Sequence, residues 1–299
     1  MKKTKRALAV LMATVMTVAG LGGCGSKADN TFIVGSKQFT ESIVLGELFA
    51  QLVEDKTDLK VERKFNLGAT SIIFPGLEKG EVDCYAEYTG TCYYDALKNT
   101  EVISPDEMND VIAEQLEEKG IKMLSPLGLN NTFALGMKKS LAEEKGIKTL
   151  TDLAAAAPDL IFGINHTDYA DETGGYDDLV ATFGYEFKDV KVMDTSLLYE
   201  GIAKGELDVI MVYATDGTLS TLDMVTLEDD TDFFDPYYAV PLVREEKLEA
   251  YPELQEVLNS LAGLLDDATM QKLNSQVDDE KKSEAEVAKA FLKENGLID

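Results

Sequence analysis

The sequence predicts an α/β protein built from two similar lobes that face each other across a cleft. Three observations carry this reading. Strand and helix signals alternate from Thr31 onward, one segment of the chain recurs, and each copy of that segment runs into a tyrosine. Alternating βαβ units imply a largely parallel sheet with helices on its faces. In open sheets of that kind, ligands bind beyond the carboxyl ends of the strands.

The elements follow in order. Thr31-Phe32-Ile33-Val34 reads as a first strand, stopped by Gly35. Thr40 is placed to cap a helix over 40–54, in which Val44, Leu45, Leu48, Phe49 and Leu52 share one face. Residues 59–65 alternate polar and apolar as a strand does, Asn66-Leu67-Gly68 makes a turn, and a helix then runs to Lys79. The next strand is expected over 82–86. A second lobe starts near Thr132 with a strand over 132–137, after the turn Pro126-Leu127-Gly128. It continues with a helix over 150–156, a strand over 160–163 and a helix over 177–183. The chain returns to the first lobe near Pro241 and ends in amphipathic helices over 254–265 and 283–295. The expected organisation is a leader over 1–23, a tether over 24–30, a first lobe from 31–131 with 241–299, and a second lobe from 132–240.

The repeat is the most informative feature. Gly76-Leu77-Glu78-Lys79-Gly80-Glu81-Val82-Asp83 recurs as Gly201-Ile202-Ala203-Lys204-Gly205-Glu206-Leu207-Asp208. Lys79 and Lys204 suit the negative end of a helix, and Gly80 and Gly205 suit the left-handed cap position. Each aspartate is followed by a short strand, and each strand by a tyrosine at the same spacing, Tyr88 or Tyr213. A small polar turn comes next, Thr89-Gly90-Thr91 or Thr215-Asp216-Gly217-Thr218. If the lobes face each other, both tyrosines point into one cleft.

The first residues read as a targeting segment. Lys2, Lys3, Lys5 and Arg6 precede an apolar core over 7–21 that is too short to span a bilayer. Leu21-Gly22-Gly23-Cys24 resembles a bacterial lipobox, which implies a diacylated Cys24 as the mature N-terminus. Two acyl chains anchor stably where one is marginal, so the expected location is the extracytoplasmic face of the cell membrane. The net charge of -27 leaves no basic stripe for nucleic acid. It weakly favours cationic ligands. Cys84 and Cys92 are close enough in sequence to pair or to stay as buried thiols, and spacing does not decide between the two. No cofactor or metal is expected, because His166 is the single histidine and no Cys/His ligand spacing exists. His166 follows the strand ending at Gly163, near the expected cleft. Without a serine elbow or cysteine partner it reads as a loop histidine, and no enzyme is expected.

Several motifs in chain order carry a family resemblance: Gly35-Ser36-Lys37-Gln38-Phe39-Thr40-Glu41, Glu87-Tyr88-Thr89-Gly90-Thr91, Asn130-Asn131-Thr132-Phe133-Ala134, Tyr213-Ala214-Thr215-Asp216-Gly217 and Phe233-Phe234-Asp235-Pro236-Tyr237. Together they resemble the substrate-binding lipoproteins of ABC importers for glycine betaine, carnitine and choline. The resemblance covers nearly all of the chain after the leader. It implies a type II periplasmic-binding-protein fold, a monomer whose lobes close on a ligand in the interlobe cleft, and delivery to a permease driven by a separate ATPase. It also implies that Tyr88, Phe133, Tyr213 and Tyr237 box a trimethylammonium group. Lys37 (or Gln38) and Thr91 match the residues that hold a ligand carboxylate in that family. The family's arginine in the second lobe has no match: the stretch reads Tyr169-Ala170-Asp171-Glu172-Thr173-Gly174-Gly175-Tyr176. This departure moves the expectation toward choline or another solute without a carboxylate.

The chemistry fits the residue types. A quaternary ammonium has no N–H to donate, so a carboxylate gains only Coulomb attraction from it. Aromatic faces offer negative quadrupole and apolar contact, each worth on the order of 0.5–2 kcal/mol. Three or four faces support micromolar binding, about -8 kcal/mol. With 12 Tyr and 12 Phe in the chain, ring type alone selects nothing; the repeat and the motifs do. The competing expectation is the same fold holding another cationic solute, a polyamine or an amino acid, through converging carboxylates.

Overall fold

The computed structural model describes residues 30–170 and 174–299. The leader, Cys24 and the tether through residue 29 lie outside the described residues, as do Asp171, Glu172 and Thr173. The strands are β1 (Thr31–Gly35), β2 (Lys60–Lys64), β3 (Cys84–Tyr88), β4 (Ile121–Met123), β5 (Phe133–Lys138), β6 (Ile161–Ile164), β7 (Asp189–Val192), β8 (Val209–Tyr213), β9 (Met224–Thr226) and β10 (Ala239–Arg244). They form two five-stranded sheets, ordered β2-β1-β3-β10-β4 and β7-β6-β8-β5-β9. In the first, β1 is parallel to β2 and β3, while β10 runs antiparallel to β3 and β4. In the second, β6 is parallel to β7 and β8, while β5 runs antiparallel to β8 and β9. The sheets therefore match position by position, each with one strand against the direction of the other four. The two-lobed α/β architecture expected from the sequence is the one observed.

The repeat has a structural cause. Gly80 and Gly205 take left-handed conformations (φ 75° and 71°) that end their helices. Behind each, Glu81 N–H donates to Gly76 O and Glu206 N–H to Gly201 O, both at 2.8 Å. Each aspartate then ties the repeat's strand to its parallel neighbour. Asp83 Oδ2 accepts from Ile33 N–H and Asp208 Oδ2 from Ile161 N–H, each at 2.8 Å. A carboxylate spent on an N–H of the adjacent strand, the third residue of β1 or the first of β6, fixes the register of the pairing and with it where the repeat's strand ends. In both copies it ends on the tyrosine: Tyr88 closes β3 and Tyr213 closes β8.

Both sheets are covered on two faces, as the period of two along a strand requires. Phe32, Val34 and Cys84 pack with the helix Thr40–Lys56, and Tyr85, Leu242 and Cys92 pack on the opposite face. In the second sheet, Val209 and Met211 face one core while Ile210 and Val212 face another. Cys84 and Cys92 are accordingly free thiols buried in different cores. Two stretches connect the sheets, 124–132 and 227–238. They are pinned side by side where Tyr237 N–H donates to Asn130 Oδ1 (2.6 Å) and Thr132 Oγ1 to Asp235 O (2.6 Å).

Local expectations needed correction in places. Thr40 is the first helical residue and not the cap; Phe39 holds the cap position without a side-chain bond. The Thr40 hydroxyl instead donates to Asp278 Oδ1 at 2.6 Å, a tertiary partner outbidding the local one. The strand placed at 82–86 lies two residues later. The helix expected over 254–265 ends at Asn259. A further helix, Asp267–Asp278, was not anticipated, because Met270, Leu273 and Asn274 are its only buried side chains and its surface is polar.

Candidate functional site

The carboxyl ends of β3 and β8 converge on one cavity of about 580 Å³. Tyr88 and Tyr213 reach it because the repeat sets both at strand ends. Phe133 reaches it because β5 is antiparallel to β8, so its first residue pairs in register with Tyr213, the last of β8. Tyr237 enters from the connecting stretch. Lys37 and Thr91 complete the set of sequence-predicted residues that line this cavity. Gln38 does not: it is exposed and borders an adjoining hollow with Gly68, Thr70 and Asp95. His166 is exposed at the start of the helix His166–Ala170, apart from the lining.

The rings do not form four separate walls. Phe133 and Tyr213 stack on each other, centroids 4.9 Å apart and planes 27° from parallel, so they present one shared wall. Phe39 supplies another ring, 6.1 Å from Tyr88 and tilted 30° to it. Phe39 is 38 % exposed and Tyr213 45 %, which is unusual for large rings and normal for a ligand-facing surface. Tyr237 is seated against Gly90, where a Cβ would fall 2.7 Å from the ring. Only glycine permits that approach.

Lys37 is the one cation in the lining among the described residues, and it is committed. Its Nζ pairs with Glu87, which is fully buried, and lies 4.8 Å over the Tyr88 ring. Glu87 also accepts from Thr70 Oγ1 (2.8 Å), Tyr85 OH (2.9 Å) and Tyr88 N–H (2.8 Å). These donors and the Lys37 ammonium occupy the Glu87 carboxylate in place of solvent.

Glu41 forms a second node. Tyr88 OH donates to its Oε1 at 2.6 Å, Asn131 Nδ2 to Oε1 at 2.9 Å and Asn274 Nδ2 to Oε2 at 3.0 Å. Burial pushes the Glu41 carboxyl above its usual 4.5, against the opposing hydrogen bonds from Thr215, Tyr88, Asn274 and Asn131. Burial, helped by Glu41, pushes the Tyr88 phenol well above 10.0. Asp216 and Asp278 also line the cavity. Burial raises the Asp216 carboxyl, and the nearby Asp278 charge adds to the rise. The cavity thus offers π faces, acceptors and carboxylates, and no unpaired cation among the described residues.

Sequence reasoning passed over Phe39, Glu41, Asn131 and Asn274. The first three lie inside motifs already quoted, so the signal was present without a reason to single them out. Asn274 carried none, because it sits on the helix that was missed.

Residues 30–294 match a family model described as the substrate-binding domain of ABC-type glycine betaine transport systems. The chain is 33% identical over 270 residues to the ergothioneine transport permease/ergothioneine binding protein EgtU of Helicobacter pylori (strain G27), covering 90% of this chain and 48% of that protein. It therefore spans about half the length of that relative. It is 30% identical over 305 residues to the carnitine transport binding protein OpuCC of Listeria monocytogenes serotype 1/2a (strain 10403S), covering 100% of this chain and 99% of that one. Among solved structures, a glycine betaine/carnitine/choline ABC transporter superposes with a TM-score of 0.85 at 28% identity, covering 90% of this chain and 100% of the other.

Proposed function

The chain belongs to the family of substrate-binding domains of ABC-type glycine betaine transport systems, and from that premise we propose that it holds a quaternary ammonium solute (choline, glycine betaine or carnitine) in the aromatic cavity. It is an extracytoplasmic component of an importer, serving a permease. The observation that carries the ligand reading is the convergence of Tyr88, Phe133, Tyr213, Tyr237 and Phe39 on a cavity whose one cation among the described residues is already paired. Rings gain from an ammonium that has nothing to donate, and the relatives named for carnitine and ergothioneine support this, since both compounds carry a trimethylammonium group. Lys37 and Thr91 face the remainder of the ligand. We take the lobes to be 31–131 with 241–299, and 132–240; β10 starting at Ala239 supports a return point two residues earlier. Anchoring through a diacylated Cys24, a separate ATPase and a monomeric state belong to the same proposal.

Isothermal titration with choline, glycine betaine, carnitine and proline betaine tests it; binding of at least one is expected, and no heat with any of them refutes it. The three carboxylates Glu41, Asp216 and Asp278 favour a second reading, an amine with N–H groups. Glu41 is already filled by donors, which weighs against it. A polyamine site would bind spermidine and lose little affinity when Tyr213 is truncated.

A further inference from the structure

Asn131 Oδ1 and Asn274 Oδ1 are the buried side-chain atoms that lack a hydrogen-bond partner among the described residues. Both residues line the cavity. Leaving a buried acceptor unmade costs about 1–3 kcal/mol, and native structures hold few such atoms. Two of them beside one cavity call for an explanation.

Their orientation is fixed from the other corner of each amide. Asn274 Nδ2 donates to Glu41 Oε2 at 3.0 Å and to the backbone oxygen of Thr215 at 2.9 Å. A backbone carbonyl only accepts, so the NH₂ group must face it and the oxygen must face elsewhere. Asn131 Nδ2 donates to the other oxygen of Glu41 at 2.9 Å. Glu41 therefore holds two amides by their nitrogens and leaves two oxygens without donors. The same carboxylate takes the Tyr88 hydroxyl at 2.6 Å, so one group holds both amides and a ring of the cage.

We infer that Asn131 and Asn274 form a donor-reading subsite, whose two carbonyl oxygens accept a hydroxyl or N–H carried by the ligand beyond its ammonium. This rests on the quaternary ammonium reading and narrows it. The preferred class is a trimethylammonium compound bearing a hydrogen-bond donor, and a solute whose only polar group is a carboxylate is served less well. The lining of the cavity agrees: its one cation among the described residues is paired with Glu87, whereas acceptors are in excess. A site built to hydrogen-bond a ligand donor rejects the analogue that lacks it, because its own buried polar atoms stay unpaired.

Two ligand pairs that differ by one hydroxyl test this by titration: choline against ethyltrimethylammonium, and carnitine against 4-trimethylammoniobutyrate. The hydroxylated member of a pair that binds is expected to be tighter by about tenfold, the scale of one well-made hydrogen bond to an otherwise unpaired group. In Asn131→Leu and Asn274→Leu that preference is expected to fall to about twofold or less in at least one variant, while the hydroxyl-free ligand still binds and serves as the control for folding. Equal affinity within each pair for the unmodified protein overturns the subsite and leaves the cage standing. So does a preference that survives in both variants. If no member of either pair binds while glycine betaine or proline betaine does, the subsite is overturned and the cage stands; if none of these binds, the quaternary ammonium reading itself is overturned.

Discussion

Replacing Tyr213 by alanine separates ligand recognition from stability better than any other change in the cavity. The ring is 45 % exposed, so little core is lost. What disappears is the stack on Phe133, 4.9 Å away, and half of one wall. The stack is worth about 0.5–1.5 kcal/mol, and an ammonium over the ring gains about 0.5–2 kcal/mol. Losing the face, with partial freeing of Phe133, weakens binding by about 1–2 kcal/mol, or roughly 5- to 30-fold in Kd. Tyr213→Phe keeps the face and the stack, and is expected to stay within about twofold of the unmodified protein. Titration of the best ligand against all three proteins measures both effects, with thermal unfolding to show that the fold survives. An alanine variant within twofold of the unmodified protein refutes the cage, and a phenylalanine variant as weak as alanine shows that the hydroxyl, not the ring, is what matters.

Four further outcomes follow from the same geometry. Gly90→Ala places a Cβ 2.7 Å from the Tyr237 ring; the ring must move, and ligand affinity should fall about 3- to 10-fold, with overpacking costing about 1–3 kcal/mol of stability by denaturant melts. Asp83→Ala strands Ile33 N–H and removes the partner of Lys247 at 3.2 Å, so it should destabilise by about 2–4 kcal/mol, more than the half-buried Asp208→Ala in the same chemical denaturation. Because burial raises the Glu41 carboxyl above 4.5, the folded state keeps a proton in the window just above 4.5 that the unfolded chain has released. Stability from this group therefore falls as pH rises through that window. The difference in Tm between unmodified protein and Glu41→Gln should move against the unmodified protein from pH 4.5 upward, and a constant difference would contradict the assignment. Cys84 and Cys92 are free and buried in different cores, so dithiothreitol should leave Tm unchanged and a thiol reagent should label them only after unfolding.

The positions of Tyr88 and Tyr213 were legible in the sequence because their causes are local. A helix end with glycine in the left-handed region, an aspartate three residues on and a short strand sit within a few residues of each other, and repetition makes the pattern visible. The same holds for the two-lobed architecture, since each lobe repeats one local plan. The ring geometry was not legible. That Phe133 and Tyr213 share one wall follows from an antiparallel register joining residues eighty positions apart in the chain. Neighbours in sequence were also sorted only by packing: Lys37 turns inward because buried Glu87, distant in the chain, offers it a charge, while Gln38 has no such partner and stays exposed.

The two pseudo-equivalent tyrosines, one on each sheet, were thus determined by the sequence itself, through cap and strand signals that act over a single turn and a single strand. The environment of those rings was decided only in three dimensions. Glu41, Asn131, Asn274 and Thr215 come from four separate segments, one of them a predominantly polar helix in which Met270 and Leu273 are the buried apolar side chains. A hydrogen bond between distant residues leaves no period in the sequence, whereas an apolar stripe does, and the selectivity of the cavity is written in the former.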